Sequence, residues 1–309
     1  LPISFGVPVV LDIRDLWPDI FLDAVPTWAR WTARSALLPM FGTASYACSR
    51  ATAITGITSA FVDWGLSYAG RSRSGLDRDF PLSYPAEPHS VQAMAEARQY
   101  WSTIGLNGRV GLRVCFFGNL SRTKADEMSA LIEAARQLQA EGDSIEFVMC
   151  GTGEYLEMYR KAAQGCDNIV SPGWVDAPRI RALMEMSSVG LLPYRSRDDF
   201  ARSIPNKVAE YLSGGLPIVS SLRGVTEALL RENDCGVTYQ NENAASLVQS
   251  LRTLASDKDR LQRMARNAAS LFAERFDATR VYDEMSNYLQ EVASVNTRIP
   301  ATGDSIRIG

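Results

Sequence analysis

The chain has 309 residues, 46% of them apolar, with a formal net charge of −3 and a single histidine, His89. A chain of that length buries a large core and calls for two domains, and its interspersed charge offers no basic surface for nucleic acid. One histidine removes histidine-based triads and multi-histidine metal sites, and no apolar run approaches the roughly 18 residues of a membrane span.

The five cysteines, Cys48, Cys115, Cys150, Cys166 and Cys235, follow no spacing pattern. Cys115 and Cys150 fall in apolar, strand-like runs, so they read as reduced core thiols of a cytoplasmic protein.

A buried strand is expected at 7–11, followed by Asp12, Arg14, Asp15, Trp17 and Pro18 at its carboxyl end. Open α/β sheets bind ligands there; a structural Asp–Arg pair under a Trp lid is the alternative. Residues 27–41 read as one helix, with Trp28, Trp31, Leu38 and Phe41 set against Arg30 and Arg34. That composition suits a membrane interface, and packing on a sheet explains it as well. A second strand at 52–57 and a helix at 59–68 precede 70–93, whose Gly, Ser, Arg and Pro content reads as loop and interdomain linker, with His89 solvated within it. Two strands are few for a doubly wound domain, so the chain is expected to begin partway through its first domain, lacking that domain's amino-terminal part.

Beyond the linker the pattern is regular. Strands at 112–117, 145–150, 168–171, 188–193, 217–220 and 236–239 alternate with helices near 124–140, 154–165, 177–186, 206–213, 223–231 and 243–256. Such alternation means βαβ units and a parallel sheet with helices on both faces. Two long helical stretches follow at 258–274 and 277–293, then an aperiodic tail expected to fray.

The chemistry falls in the loops after these strands. Gly118 to Lys124 (GNLSRTK) combines a glycine with Arg122 and Lys124, which suits a diphosphate or a solvated basic turn. Gly151 and Gly153 make a tight turn into a helix, a weak signal alone, and Trp174 and Val175 follow a Pro-Gly turn that can present backbone groups to a base. The stretch SIPNKVAEYLSGG opens a short helix through Ser203, Pro205, Asn206 and Lys207. Its amino end directs free N–H groups and a positive dipole at whatever lies above the sheet. Glu210, two turns beyond Ser203, can pair with vicinal hydroxyls or stand as a surface acid. No aspartate dyad, Cys–His pair or serine elbow is present, which favours departure of a substrate's own diphosphate over a protein nucleophile.

These segments carry a resemblance. Residues 1–292 resemble glycosyltransferase family 4. VLDIRDLWPD is similar to a segment of bacterial transferases that build surface polysaccharides, and Gly118 to Lys124 to the family's diphosphate loop. SIPNKVAEYLSGGLPIVSS is similar to its donor signature, and RFDATRVYDEMSNYL to its closing helix. The resemblance implies an α/β protein of GT-B architecture: a truncated Rossmann-like acceptor-side domain (1–85), a linker and helix (86–106), a Rossmann-like nucleotide-sugar domain (107–275), a crossing helix (276–293) and a flexible tail (294–309).

It also implies a retaining hexosyltransferase that takes a nucleoside-diphosphate sugar, a UDP-sugar first, needs no metal or other cofactor, and serves a glycan or lipid-linked acceptor at the inner face of the plasma membrane. By the same likeness Glu210 holds the ribose and Lys124 the diphosphate. Gly118, Asn119, Arg122, Gly151, Gly153, Trp174, Val175, Ser203, Pro205, Asn206 and Lys207 complete the donor side, and Asp12, Arg14, Asp15 and Trp17 face the acceptor; Asp15, Lys124 and Glu210 are the catalytic candidates. Two family positions differ: Arg202 stands where the first signature Glu is usual, and Asn119 where the loop Arg is usual, with Lys207 as a substitute phosphate contact. A transferase-like binding or scaffold protein without turnover therefore stays an alternative. An epimerase of the same architecture fits less well, because those enzymes use cleft histidines.

Overall fold

The computed structural model describes residues 7–23, 25–86, 88–106, 108, 111–120, 125–195 and 197–295. The chain divides into two compact units, Leu1–Pro81 with Val281–Gly309, and Leu82–Arg280.

The first unit holds the parallel sheet β1 (Val10–Ile13), β2 (Ala53–Gly56) and β3 (Arg78–Asp79), in that order. Its helices are α1 (Asp19–Asp23), α2 (Arg30–Ala36), α3 (Leu38–Arg50) and α4 (Ser59–Ala69). Two expectations are corrected here. The segment read as one helix over 27–41 is a short 3-10 turn, α2 and α3, interrupted at Leu37. Pro39 lacks an N–H and so fits the first turn of a new helix better than the middle of an old one.

The segment read as loop from 70 onward contains β3, which brings the described strands of this sheet to three. Asp77 explains it. Its carboxylate accepts the Ile54 N–H at 2.8 Å, a two-pronged Arg71 guanidinium at 2.7 Å on each side, and the Ser74 N–H at 2.7 Å. Burial opposes ionisation, yet these donors hold the carboxyl well below the usual carboxylate range. A side-chain clamp of this kind ties the polar turn to β2, and strand propensity does not register it.

The second unit is a six-stranded parallel sheet ordered β6-β5-β4-β7-β8-β9. The strands are β4 (Leu112–Phe117), β5 (Ile145–Cys150), β6 (Ile169–Gly173), β7 (Val189–Leu192), β8 (Ile218–Ser220) and β9 (Gly236–Thr238). Its helices are α5 (Val91–Thr103), α6 (Ala125–Ala140), α7 (Leu156–Ala162), α8 (Ala177–Met186), α9 (Asp198–Arg202), α10 (Asn206–Ser213), α11 (Val225–Glu232), α12 (Ala244–Ser256) and α13 (Lys258–Leu271). A π-helical turn (Phe272–Phe276) leads into α14 (Ala278–Ser294), which belongs to the first unit from Val281 onward. All six residues of β4 are buried. Cys115 and Phe117 enter the core on one face of the sheet, while Leu112, Val114 and Phe116 enter the core on the other. A strand covered on both faces is apolar at nearly every position; the exception, Arg113, is buried with its Nε–H on the Glu146 carboxylate at 2.6 Å.

Strand order reverses between β4 and β7, and this switch point is packed around Tyr211 of α10. Its hydroxyl donates to the Leu191 carbonyl at 2.9 Å and lies 3.4 Å from the Cys115 carbonyl, while its ring meets Phe117 edge-on at 5.0 Å. Tyr211→Phe leaves a buried carbonyl without its donor and should cost about 1–3 kcal/mol. Urea unfolding measures it; a variant as stable as the parent would mean the hydroxyl contributes nothing there. All five cysteines are buried and unpaired, as free core thiols should be.

Candidate functional site

A cavity of about 570 Å³ opens at the carboxyl ends of β4, β5 and β6. Its floor is made by two loops that continue the sheet's hydrogen bonding past the strand ends. The Gly118 N–H donates to the Cys150 carbonyl at 3.0 Å, Leu120 to Thr152 at 2.8 Å, and Gly151 to Gly173 at 2.8 Å. At Gly151, where φ is +150°, an added Cβ would fall 1.9 Å from the Gly118 carbonyl oxygen; at Gly153 it would fall 2.2 Å from that of Leu120. The Gly-Thr-Gly turn is therefore required for two backbones to touch, a stronger reason for these glycines than the spacing alone supplied.

The walls carry the side chains. Lys207, in the first turn of α10, lines the cavity with its Nζ 4.4 Å above the Phe117 ring and 2.5 Å from Glu210 Oε2. Both partners are largely covered, with side-chain exposures of 18% and 22%. Sequence reading assigned the two residues separate tasks; without ligand they form one i,i+3 ion pair. Trp174 lines the cavity while 67% exposed, and Val175 beside it is buried. Ser203, Pro205 and Asn206 form the approach to α10, anchored by buried Ile204 and by the Thr226 hydroxyl on the Ser203 carbonyl at 3.0 Å. Just before them, Asp198–Arg202 form the short helix α9. Arg122 and Lys124 lie outside the described residues.

In the first unit the strand expected at 7–11 is β1 at Val10–Ile13, so Asp12 lies within it, and Arg14, Asp15 and Trp17 follow its carboxyl end. Asp12 takes the Arg14 Nε–H at 2.5 Å and the Thr55 hydroxyl at 2.9 Å, while Arg14, Asp15 and Trp17 are exposed. On α2, α3 and the preceding turn, Trp28, Trp31, Leu38 and Tyr46 are 85, 79, 61 and 62% exposed. Among the described residues no helix is long and apolar enough to cross a membrane, and no three His, Cys, Asp or Glu side chains cluster to hold a metal.

Residues 111–257, the span that builds this cavity, match the family described as glycosyl transferases group 1. That span, just under half of the chain, resembles a group 1 glycosyl transferase. Likeness to individual proteins runs further along the chain. It is 23% identical over 304 residues to alpha-D-kanosaminyltransferase of Streptomyces kanamyceticus, covering 93% of this chain and 71% of that one. It is 24% identical over 208 residues to the protein provisionally assigned as colanic acid biosynthesis glycosyltransferase WcaL in Escherichia coli (strain K12), covering 66% of this chain and 47% of the relative. Against WcaL of Salmonella typhimurium the share is 43%, so the chain spans about half the length of the two WcaL proteins it matches.

The likeness of fold extends over almost all of the chain. The structure of Anabaena Alr3699/HepE in complex with UDP and glucose superposes with a TM-score of 0.65 at 17% identity, covering 92% of this chain and 71% of that one. Two parallel-stranded α/β units of the GT-B type account for that likeness.

Proposed function

We propose that this chain acts as a retaining glycosyltransferase that moves a sugar from a nucleoside-diphosphate sugar, a UDP-sugar in the first instance, onto a polysaccharide or lipid-linked oligosaccharide acceptor. The observation that carries the reading is the cavity itself: a glycine-tight backbone floor, a cationic Lys207 at a helix start and an exposed Trp174 on one rim. In this reading the phosphates lie over Gly118, Asn119, Gly151 and Gly153, met by Lys207 and by Arg122 and Lys124, and the base lies against Trp174 and Val175. Ser203, Pro205 and Asn206 border the sugar, and Glu210 takes the ribose. Asp15, with Asp12, Arg14 and Trp17, attends the acceptor. Charge that develops on the departing diphosphate is stabilised by fixed donors and cations, with no protein nucleophile needed. Support comes from the family match over residues 111–257, from the UDP and glucose named for the Anabaena neighbour, and from the colanic acid and amylovoran biosynthesis named for relatives.

A thermal-shift screen against UDP, GDP, ADP and dTDP, with and without Mg²⁺, tests the donor. A ligand at about 100 times its dissociation constant should stabilise the fold by roughly 2.7 kcal/mol; no shift with any nucleotide overturns the reading. With the nucleotide in hand, Trp174→Ala should weaken binding by about 1–3 kcal/mol, the value of one base–aromatic stack, and abolish part of the ligand-induced quenching of tryptophan fluorescence. Unchanged affinity would remove Trp174 from the base site.

The same proposal puts the protein at the cytoplasmic face of a membrane through Trp28, Trp31 and Leu38, beside Arg30 and Arg34. Aromatic and basic side chains together favour the headgroup region of anionic lipid. In flotation with phosphatidylglycerol-containing vesicles the chain should rise with the lipid, and Trp28→Ser with Trp31→Ser should leave it at the bottom of the gradient. Equal flotation of parent and variant would sink the membrane contact.

A further inference from the structure

The turn after β8 grips the segment that runs from β7 to α10. Ser221, the first residue beyond β8, is fully buried; its hydroxyl accepts the Tyr194 N–H at 2.9 Å and donates to the Tyr194 carbonyl at 2.7 Å. Further along the turn Gly224 has a φ of +76°, and an added Cβ would fall 2.2 Å from the Ala201 carbonyl oxygen. Thr226, in the first turn of α11 and also fully buried, donates its hydroxyl to the Ser203 carbonyl at 3.0 Å. One short turn thus meets the segment where it leaves β7, again within α9, and again at Ser203, the residue that closes α9.

The segment depends on outside support, because α9 is little more than one turn and too short to hold itself. α10 is anchored unevenly. Its later part is tied to β7 through the Tyr211 hydroxyl on the Leu191 carbonyl. Its first turn carries Lys207 and follows Pro205, an N-cap residue that makes no side-chain hydrogen bond. The ion pair of Lys207 with Glu210 lies within the helix and moves with it. Between the Ser203 carbonyl and Lys207 stand only Ile204, which is buried, Pro205, whose ring fixes φ, and Asn206. A carbonyl held by Thr226 is therefore relayed to the start of α10 with little slack. Valine has the shape of threonine and lacks the donor, so in its presence the buried carbonyl must turn toward another partner.

We propose that Thr226, with Ser221, is a positioning residue for the donor's diphosphate, acting through Lys207 by fixing the segment that delivers it to the cavity. This rests on the nucleotide-sugar reading above. Calorimetric titrations test it, with whichever of UDP, GDP, ADP or dTDP the parent binds and with the matching nucleoside. The chains compared are the parent, Thr226→Val, Thr226→Ser, Lys207→Ala, and Lys207→Ala combined with Thr226→Val. Expected in Thr226→Val is an affinity for the diphosphate about tenfold weaker, with nucleoside affinity unchanged. Thr226→Ser keeps the hydroxyl and should bind as the parent does. Added to Lys207→Ala, the valine should cause no further loss, because two changes that act through one contact do not add. Ser221→Ala frees the other end of the segment and should repeat the pattern; alone and with Lys207→Ala, it carries the test where the valine variant fails to fold. In a folded variant, three results overturn the positioning role: no loss, a loss shared equally by nucleoside and diphosphate, or a loss as large without Lys207 as with it. A parent chain that binds none of the four nucleotides overturns the donor reading and this inference together, whereas a parent that binds beside indifferent variants overturns the inference alone.

Discussion

Gly190→Ala should destabilise the protein by about 3 kcal/mol or more, because overpacking a closed core has no cheap relief. An added Cβ would fall 2.5 Å from Cγ and Cδ1 of Tyr211 and 2.7 Å from Cδ2. The ring cannot retreat: Tyr211 is fully buried, its hydroxyl is bonded to the Leu191 carbonyl, and Phe117 packs against it in an edge contact. Nor can β7 move, since Gly190 is paired with Cys115 of β4 on one side and Ile218 of β8 on the other. Urea unfolding with an unchanged slope would report this as a shift of midpoint. A loss under 1 kcal/mol would show that the switch point is more loosely packed than the contacts indicate. Because α10 carries Lys207, nucleotide binding should weaken in the same variant.

Lys207→Ala should weaken binding of a nucleoside diphosphate by roughly 1.5–3 kcal/mol, on the order of ten- to a hundredfold, the value of a charge-assisted contact in a partly closed site. Nζ stands between the Glu210 carboxylate and the Phe117 ring, so its charge is already held at the cavity wall and little ordering is needed when phosphate arrives. Removal also leaves Glu210, 22% exposed, without its cation, which adds repulsion toward an incoming anion. Glu210→Gln behaves differently. It frees Lys207 while taking an acceptor from the ribose, so nucleoside and nucleoside diphosphate should lose affinity alike, whereas Lys207→Ala affects only the diphosphate. Titration calorimetry on the two variants with the two ligands decides it. Parental affinity for the diphosphate in Lys207→Ala would end the phosphate role assigned to that side chain.

Much of the second unit is legible in sequence because a parallel sheet covered on both faces demands predominantly apolar strands, and helices between them repeat a 3.6-residue pattern. β4, β5, α8 and α10 stand at the residues that the periodicity specifies. The first unit reads less well. β3 is two residues long and polar, and it exists because Asp77 gathers donors from β2 and the Arg71–Ser74 turn; no window average senses a single buried carboxylate. α9 is illegible for a similar reason, being little more than one turn of helix with no apolar stripe.

The site divides along the same line. By itself the sequence determined the class of fold, the order of its loops and the residue types they offer: glycines after β4 and β5, a tryptophan after β6, a lysine and a glutamate at α10. Those follow from local rules, because strand, turn and helix start each impose their own residue preferences. Only the tertiary structure decided that Gly151 is glycine for the sake of Gly118, that Lys207 and Glu210 share one ion pair, and that Glu127, an unremarked acid in a helix's first turn, accepts hydrogen bonds from residues 112 to 115 positions away. Contacts of that range depend on how separate elements pack, and the local sequence at either end carries no record of the other.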